Sequence, residues 1–138
     1  MPMQWLKNYS KTMVKSIFIA GNVPSSKNSK QMIINNGRTF FVWSKTAQKY
    51  VRTTKKSYVS YAGIFKKHLE GLEKPYKISF KFIRGSKHKF DYPNPLQTIM
   101  DLMVKYEWIE DDNADEILPV FEFYEYSKEK PGVIIGIT

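Results

Sequence analysis

Between residues 76 and 84 the chain alternates with a period of two. Tyr76, Ile78, Phe80 and Phe82 fall on one side, and Lys77, Ser79 and Lys81 on the other. This pattern requires a strand buried on one face, because successive strand side chains point to opposite faces of a sheet. Another part of the chain must cover the apolar face, and two segments have the period to do it. Ala47, Val51, Thr54, Tyr58, Ala62, Phe65 and Leu69 recur at three- and four-residue steps. They predict a helix capped by Ser44 and closed by residues 71–75. Lys45, Lys49, Arg52, Lys56, Lys66 and Lys67 lie mostly off that stripe, which gives the helix a basic exposed side. Ile99, Leu102, Met103 and Tyr106 form the apolar stripe of a second helix. Asn94 is expected at its N-cap, Pro95 at its first helical position and its end near Glu107.

The remaining strands follow from shorter signals. Residues 16–20 form an apolar run ended by Gly21, and residues 22–30 are a polar loop. Residues 31–35 and 38–43 flank Asn36-Gly37, a hairpin signal because both turn residues tolerate positive φ. Residues 117–126 and 133–137 read as the last two strands, separated by Pro131-Gly132. The order ββ β α β α β β predicts a single α+β (mixed α/β) domain over residues 1–138, with a mixed sheet and two main helices. Residues 1–15 are expected to form a basic N-terminal extension.

Composition removes several function classes. With 42% hydrophobic and 25% charged residues, the chain is not wholly disordered. The absence of Cys excludes a disulfide scaffold, Cys-ligated zinc and thiol catalysis. Two His residues speak against a His-rich metal site. No run approaches the ~18 apolar residues of a membrane span, and the basic N-terminus lacks the apolar core of a signal peptide. A soluble cytoplasmic protein with no membrane partner is expected. The formal charge of +9 points to a polyanionic partner. That charge is segregated: residues 1–90 carry 19 Lys and Arg against Glu70 and Glu73, whereas residues 91–138 carry three Lys against 11 acids. A basic body with an acidic strip suits a metal-dependent enzyme acting on nucleic acid. It suits equally a solvated basic surface neutralised in cis.

On a helical wheel Asn94, Gln97, Asp101 and Lys105 share a polar face opposite the apolar stripe. Asp91 precedes the helix, and Asp111-Asp112 follows it in an acidic turn. Mg²⁺ takes oxygen ligands, commonly one or two carboxylates plus substrate phosphates. Asp91 with Asp112, joined by Asp101 or Asp111, would suffice if a short connection brought the turn back. Each residue also has a plainer role. Asp91 complements the helix dipole, Asp101 pairs with Lys105 at i,i+4, and residues 111–113 are turn formers.

The run Asp91-Tyr-Pro-Asn94-Pro-Leu-Gln97-Thr-Ile-Met-Asp101-Leu-Met, followed by Trp108-Ile-Glu-Asp111-Asp112, resembles the signature of the RusA-like Holliday junction resolvases. That signature is Asp-x-Asp-Asn-x-x-Lys, a helix carrying Asp, then Asp-Asp in the next turn. Val23-Pro-Ser-Ser-Lys-Asn28 is similar to the family's Pro-Ser-x-Asn loop, and Ser44 to Tyr50 to the start of its long helix. The resemblance spans most of residues 16–120 and is specific only over 91–112. It implies a homodimeric, Mg²⁺- or Mn²⁺-dependent endonuclease that cuts four-way DNA junctions in recombination and repair, of a kind common in phages and prophages. By position, Asp91 matches the first catalytic Asp and Asp112 the last, Asn94 the motif Asn and Asp101 the helix Asp. The second motif Asp falls at Pro93, which has no ligating side chain, and the motif Lys falls at Gln97, which has no charge. Asp101, Asp111 or Asp115 could replace the carboxylate, and His88, Lys89 or Lys105 the cation.

The resulting expectation is a structure-selective DNA endonuclease. Phosphates would lie on Lys45, Lys49, Arg52 and Lys56, and on the loops carrying Lys27, Lys30, Lys87 and Lys89. The alternative is a catalytically degenerate junction-binding protein of the same fold. A third reading, an RNA nuclease, would use Tyr58, Tyr61, Phe40 and Trp43 for stacking, although periodicity assigns Tyr58 and Phe40 to the core.

Overall fold

The computed structural model describes residues 15–25 and 30–138. The expected 1–15 extension lies outside the described residues except for Lys15. The chain forms one α+β domain of seven strands and two helices among the described residues. These are β1 (Ser16–Ala20), β2 (Lys30–Asn35), β3 (Arg38–Trp43), α1 (Lys45–Leu69), β4 (Tyr76–Arg84), α2 (Pro93–Lys105), β5 (Ile117–Phe121), β6 (Glu125–Tyr126) and β7 (Gly132–Ile137).

The main sheet is mixed, in the order β1-β7-β4-β5, with β6 on the same edge of β4 as β5. β7 pairs antiparallel with both β1 and β4. β4 and β5 are parallel, with Tyr76 opposite Ile117. Parallel neighbours need a crossover, and α2 supplies it. β2 and β3 form a separate hairpin whose turn residues Asn36 and Gly37 take φ of 52° and 75°, as the Asn-Gly signal predicts.

The alternation in β4 is realised. Ile78, Phe80 and Phe82 are buried, together with Ile17, Ile19, Val133, Ile135 and Ile117 from the neighbouring strands. Both helices contribute to the same core: Tyr50, Tyr58, Phe65 and Leu69 from α1, and Leu96, Ile99, Leu102 and Met103 from α2. Ser44 caps α1 as expected, accepting the Ala47 N–H at 3.2 Å. At the end of α2, Glu107 adopts φ 62°, and the Trp108 N–H returns to the Met103 carbonyl at 2.8 Å while the Glu107 N–H bonds Val104. This left-handed cap turns the chain inward and inserts Trp108, 1% exposed, between the helices and the sheet.

Several sequence expectations are corrected. α2 starts at Pro93, with Tyr92 in the cap position and no side-chain cap. Asn94 is already inside the helix, because its N–H bonds the Asp91 carbonyl at 3.1 Å. Tyr50, not Val51, is the buried residue of the second turn of α1, and Tyr106 is only half-buried. Residues 117–126 are not one strand. Phe80 faces Phe121 and Ile83 faces Glu125, so four steps on the edge match three on β4. This is a bulge of one residue. Phe40 is 46% exposed on the hairpin, not core, whereas Tyr58 is fully buried.

The sheet face turned away from the helices has no cover from either helix. Phe18, Leu118 and Val120 are exposed there, and Gly132 and Gly136 alternate with Ile134 on β7. A Cβ at Gly132 would meet the Ile19 carbonyl oxygen and the Phe18 ring at 2.5 Å. Backbone cannot yield cheaply, so Gly132→Ala is expected to destabilise the fold by ~1–3 kcal/mol, measurable by urea denaturation.

Candidate nucleic-acid interface

β4 delivers Arg84 to its C-terminal end. The residue stands in register with Ile78, Phe80 and Phe82, and is only 3% exposed. Its Nη1 donates to the Val23 carbonyl at 2.6 Å and its Nη2 to Ser25 Oγ at 2.9 Å. The guanidinium carbon lies 4.6 Å from the Phe90 ring centroid. Burial lowers its pKa below the usual arginine value, yet the shift leaves an arginine charged at neutral pH. Arg84 therefore fastens residues 23–25 to the end of β4. Asn22 adds a second tie, its Oδ1 accepting the Gly85 N–H at 2.8 Å.

Above this anchor is a cavity of about 500 Å³. Lys87, His88 and Lys89 line it with Asp91 and Asn94, and Ser25, Phe90 and Tyr124 complete the wall. Of the expected site residues, the structure thus brings together Asp91, Asn94, Lys87 and Lys89. The first turn of α2 offers the cavity few amides. Pro93 and Pro95 have no N–H, and the Asn94 and Leu96 N–H groups are bonded to the Asp91 and Tyr92 carbonyls.

The other carboxylates lie elsewhere. Gln97 Nε2 donates to Asp101 Oδ1 at 2.8 Å along α2. Asp111 accepts the Asp112 N–H at 2.7 Å and Asn113 Nδ2 at 3.1 Å, and these bonds lower its pKa, the Asp112 N–H most. Asn113 Oδ1 in turn accepts the Asp115 and Glu116 N–H groups. The turn is therefore internally satisfied. Its Asp111 contribution is present above the ordinary carboxylate pKa and is lost as pH falls through the lowered value.

Topology separates Asp91 from Asp112. Asp91 follows the C-terminal end of β4, while Asp112 precedes β5, whose first residue is level with Tyr76 at the start of β4. Lys74 confirms that end, bridging Glu110 at 3.4 Å and Glu116 at 2.9 Å. The 13 residues of α2 span about 20 Å between the two ends. Among the described residues no group of three or more His, Asp or Glu side chains is placed to hold one metal ion. The expected gathering of Asp91, Asp101 and Asp112 within one chain is not formed, because a parallel β4–β5 pair puts the two loops at opposite ends of the sheet. Of the substitute cations, His88 and Lys89 stand beside Asp91, whereas Lys105 lies over Tyr106 at the far end.

Lys45, Lys49, Arg52 and Lys56 are all exposed. At 100° per residue they fall within a 60° sector roughly opposite the buried positions of α1. The first half of α1 and the cavity flank one segment: a Cβ at Gly21 would touch Tyr50 and Thr54, and Asn22 bonds Gly85. Lys27 and the side chain of Lys30 lie outside the described residues. Sequence reasoning missed Arg84, although continuing the β4 alternation two residues past Phe82 would have placed it on the buried face. It also missed Tyr124, because a bulge leaves no spacing signal.

No helix among the described residues is long and apolar enough to cross a membrane. Compared with models of known protein families and with curated proteins, the chain matches none.

Proposed function

We propose that this chain is a DNA-binding domain for four-way junctions, and that it cuts DNA only as a homodimer. The observation that carries the proposal is the placement of Asp91 in a lysine-lined cavity at one end of β4, with Asp112 at the other end. Among the described residues of one chain, no group of three or more His, Asp or Glu side chains is placed to share a metal ion. Two copies related by a two-fold axis and packed through their α2 sides, with their strands antiparallel, would set the Asp91 end of one near the Asp112 end of the other. The resemblance to RusA-like resolvases supplies the substrate and the need for Mg²⁺ or Mn²⁺. Within each half-site Lys87 and Lys89 would hold phosphate by charge, and Asp91 would contribute one carboxylate.

A second reading is a binding protein without nuclease activity. It is favoured by Pro93 and Gln97 in the resembling motif, and by Asp111, whose two oxygens are already engaged in its own turn. Cleavage of a synthetic junction with Mg²⁺ or Mn²⁺ separates the two. Tight binding without cutting under either metal would leave only the second.

Both readings require a charge-dominated grip. Replacing Lys45, Lys49, Arg52 and Lys56 together by Ala is expected to flatten the dependence of log K on log salt by roughly 3 to 4, since each phosphate contact contributes about 0.9. Fluorescence anisotropy across a salt series measures it. An unchanged slope would remove this helix face from the interface.

A further inference from the structure

The edge bulge has put aromatic rings in an unusual place. Between β5 and β6 the extra residue interrupts the ladder, and the Tyr124 N–H bonds the Tyr92 hydroxyl at 3.3 Å. Tyr124 then meets Phe90 edge-on at 5.0 Å between centroids. Phe123 stacks on Tyr124 at 5.1 Å with the planes 24° apart. Behind them Phe121 stacks on Tyr92 at 4.8 Å. The rings of Tyr92, Phe90 and Tyr124 are thus braced, while Phe123 is 79% exposed.

Phe121, Phe123, Tyr124 and Tyr126 all leave ring surface exposed along this edge, and a contiguous exposed apolar patch marks an interaction site. Its surroundings identify the chemistry of the ligand. Tyr124 lines the same cavity as Lys87, His88 and Lys89, and Lys87 Nζ lies 5.1 Å from the Tyr126 ring centroid. The glutamates of the segment are occupied on the other side of the edge. Glu125 binds Lys81 at 2.8 Å, and Glu122 adds its charge to the surroundings of Lys81. Flat π faces beside lysines match a nucleobase attached to a phosphate chain.

We infer that the Phe123–Tyr124 step is a stacking platform for an unpaired nucleobase whose flanking phosphates lie at Lys87 and Lys89. The inference rests on the nucleic-acid reading of the cavity and adds the class of substrate: strands with bases out of the helical stack. A base inside a duplex presents only its edge to the grooves, so a paired substrate gains nothing from the platform.

The test uses a short duplex carrying 2-aminopurine in a bulge, beside the fully paired duplex of the same sequence. The wild-type chain is expected to quench the 2-aminopurine and to prefer the bulged DNA. Phe123→Ala should weaken bulge binding by about 5- to 150-fold, the range for loss of one stacked base, and abolish the quench, while leaving paired-duplex affinity unchanged. Phe123→Trp should retain both the preference and the quench. Lys87→Ala with Lys89→Ala should weaken both DNAs together.

Equal loss on both DNAs in Phe123→Ala, or none on either, overturns the platform and leaves the DNA-binding reading standing. Failure of the wild type to bind either duplex while a four-way junction is bound overturns the platform alone, and failure on the junction as well overturns both. A change of oligomeric state in Phe123→Ala, read by sedimentation, would make the rings a contact between copies and also overturns the platform.

Discussion

Mixing Asp91→Asn protein with Asp112→Asn protein is expected to restore junction cleavage to about a quarter of the wild-type rate, because random exchange makes half the dimers mixed and each mixed dimer keeps one intact site of two. Alone, each variant should lose about 100-fold or more, the scale of removing a carboxylate that organises phosphodiester hydrolysis. The asymmetry follows from the fold. Asp91 and Asp112 stand at opposite ends of the β4–α2–β5 unit, so in the proposed antiparallel arrangement a mixed dimer would contain one pair of wild-type residues facing each other across the two-fold axis and one pair of asparagines. A site held within each chain would behave differently, since every subunit in the mixture would then be broken and no activity would return. Single-turnover cleavage of a labelled four-way junction in Mg²⁺ or Mn²⁺, with the variants mixed before and after subunit exchange, distinguishes the outcomes.

Trp108→Ala is expected to destabilise the domain by about 3–5 kcal/mol, lowering Tm by roughly 10–20 °C for a chain of this size. Trp108 packs against Phe65 at 4.9 Å and Tyr58 at 5.6 Å between ring centroids, and its Nε1 donates to the Tyr58 carbonyl at 2.7 Å. The truncation removes the largest fully buried side chain and leaves a void that α1 and α2 cannot both fill. Trp108→Phe keeps most of the ring and loses one hydrogen bond, so a milder loss of about 1–2 kcal/mol is expected. Equal effects of the two substitutions, measured by chemical denaturation, would mean that the hydrogen bond and not the packing holds the helices together.

The elements that local chemistry dictates were legible. The alternation at 76–84, the Ser44 cap and the Asn36-Gly37 turn each depend on residues within a few positions of one another, and each appears in the structure. Trp108 was less legible, since its burial depends on the left-handed Glu107, a conformation the sequence does not announce. The bulge at 122–124 depends on register between strands some forty residues apart, which no period within either strand can reveal. The candidate site failed at the same level. A helical wheel gives the angle between Asp91, Asp101 and the residues around them, but whether the chain returns to its starting end is decided by the direction of β5 relative to β4. Arg84 is the opposite case, a buried cation that the period-two rule points to and that its polar character hides.

The prolines at the start of α2 have a consequence for how charge is sensed. With Pro93 and Pro95 lacking N–H groups, and those of Asn94 and Leu96 directed at Asp91 and Tyr92, no rigid fan of backbone dipoles awaits an incoming oxyanion. On the proposed function, the attraction would come from long, rotatable ammonium stems such as Lys87 and Lys89, which follow a ligand's contour instead of imposing one. Such a surface measures the local density of negative charge and is indifferent to the orientation of any individual phosphoryl group. If the cavity holds DNA as proposed, it would therefore accommodate strands that arrive along divergent paths.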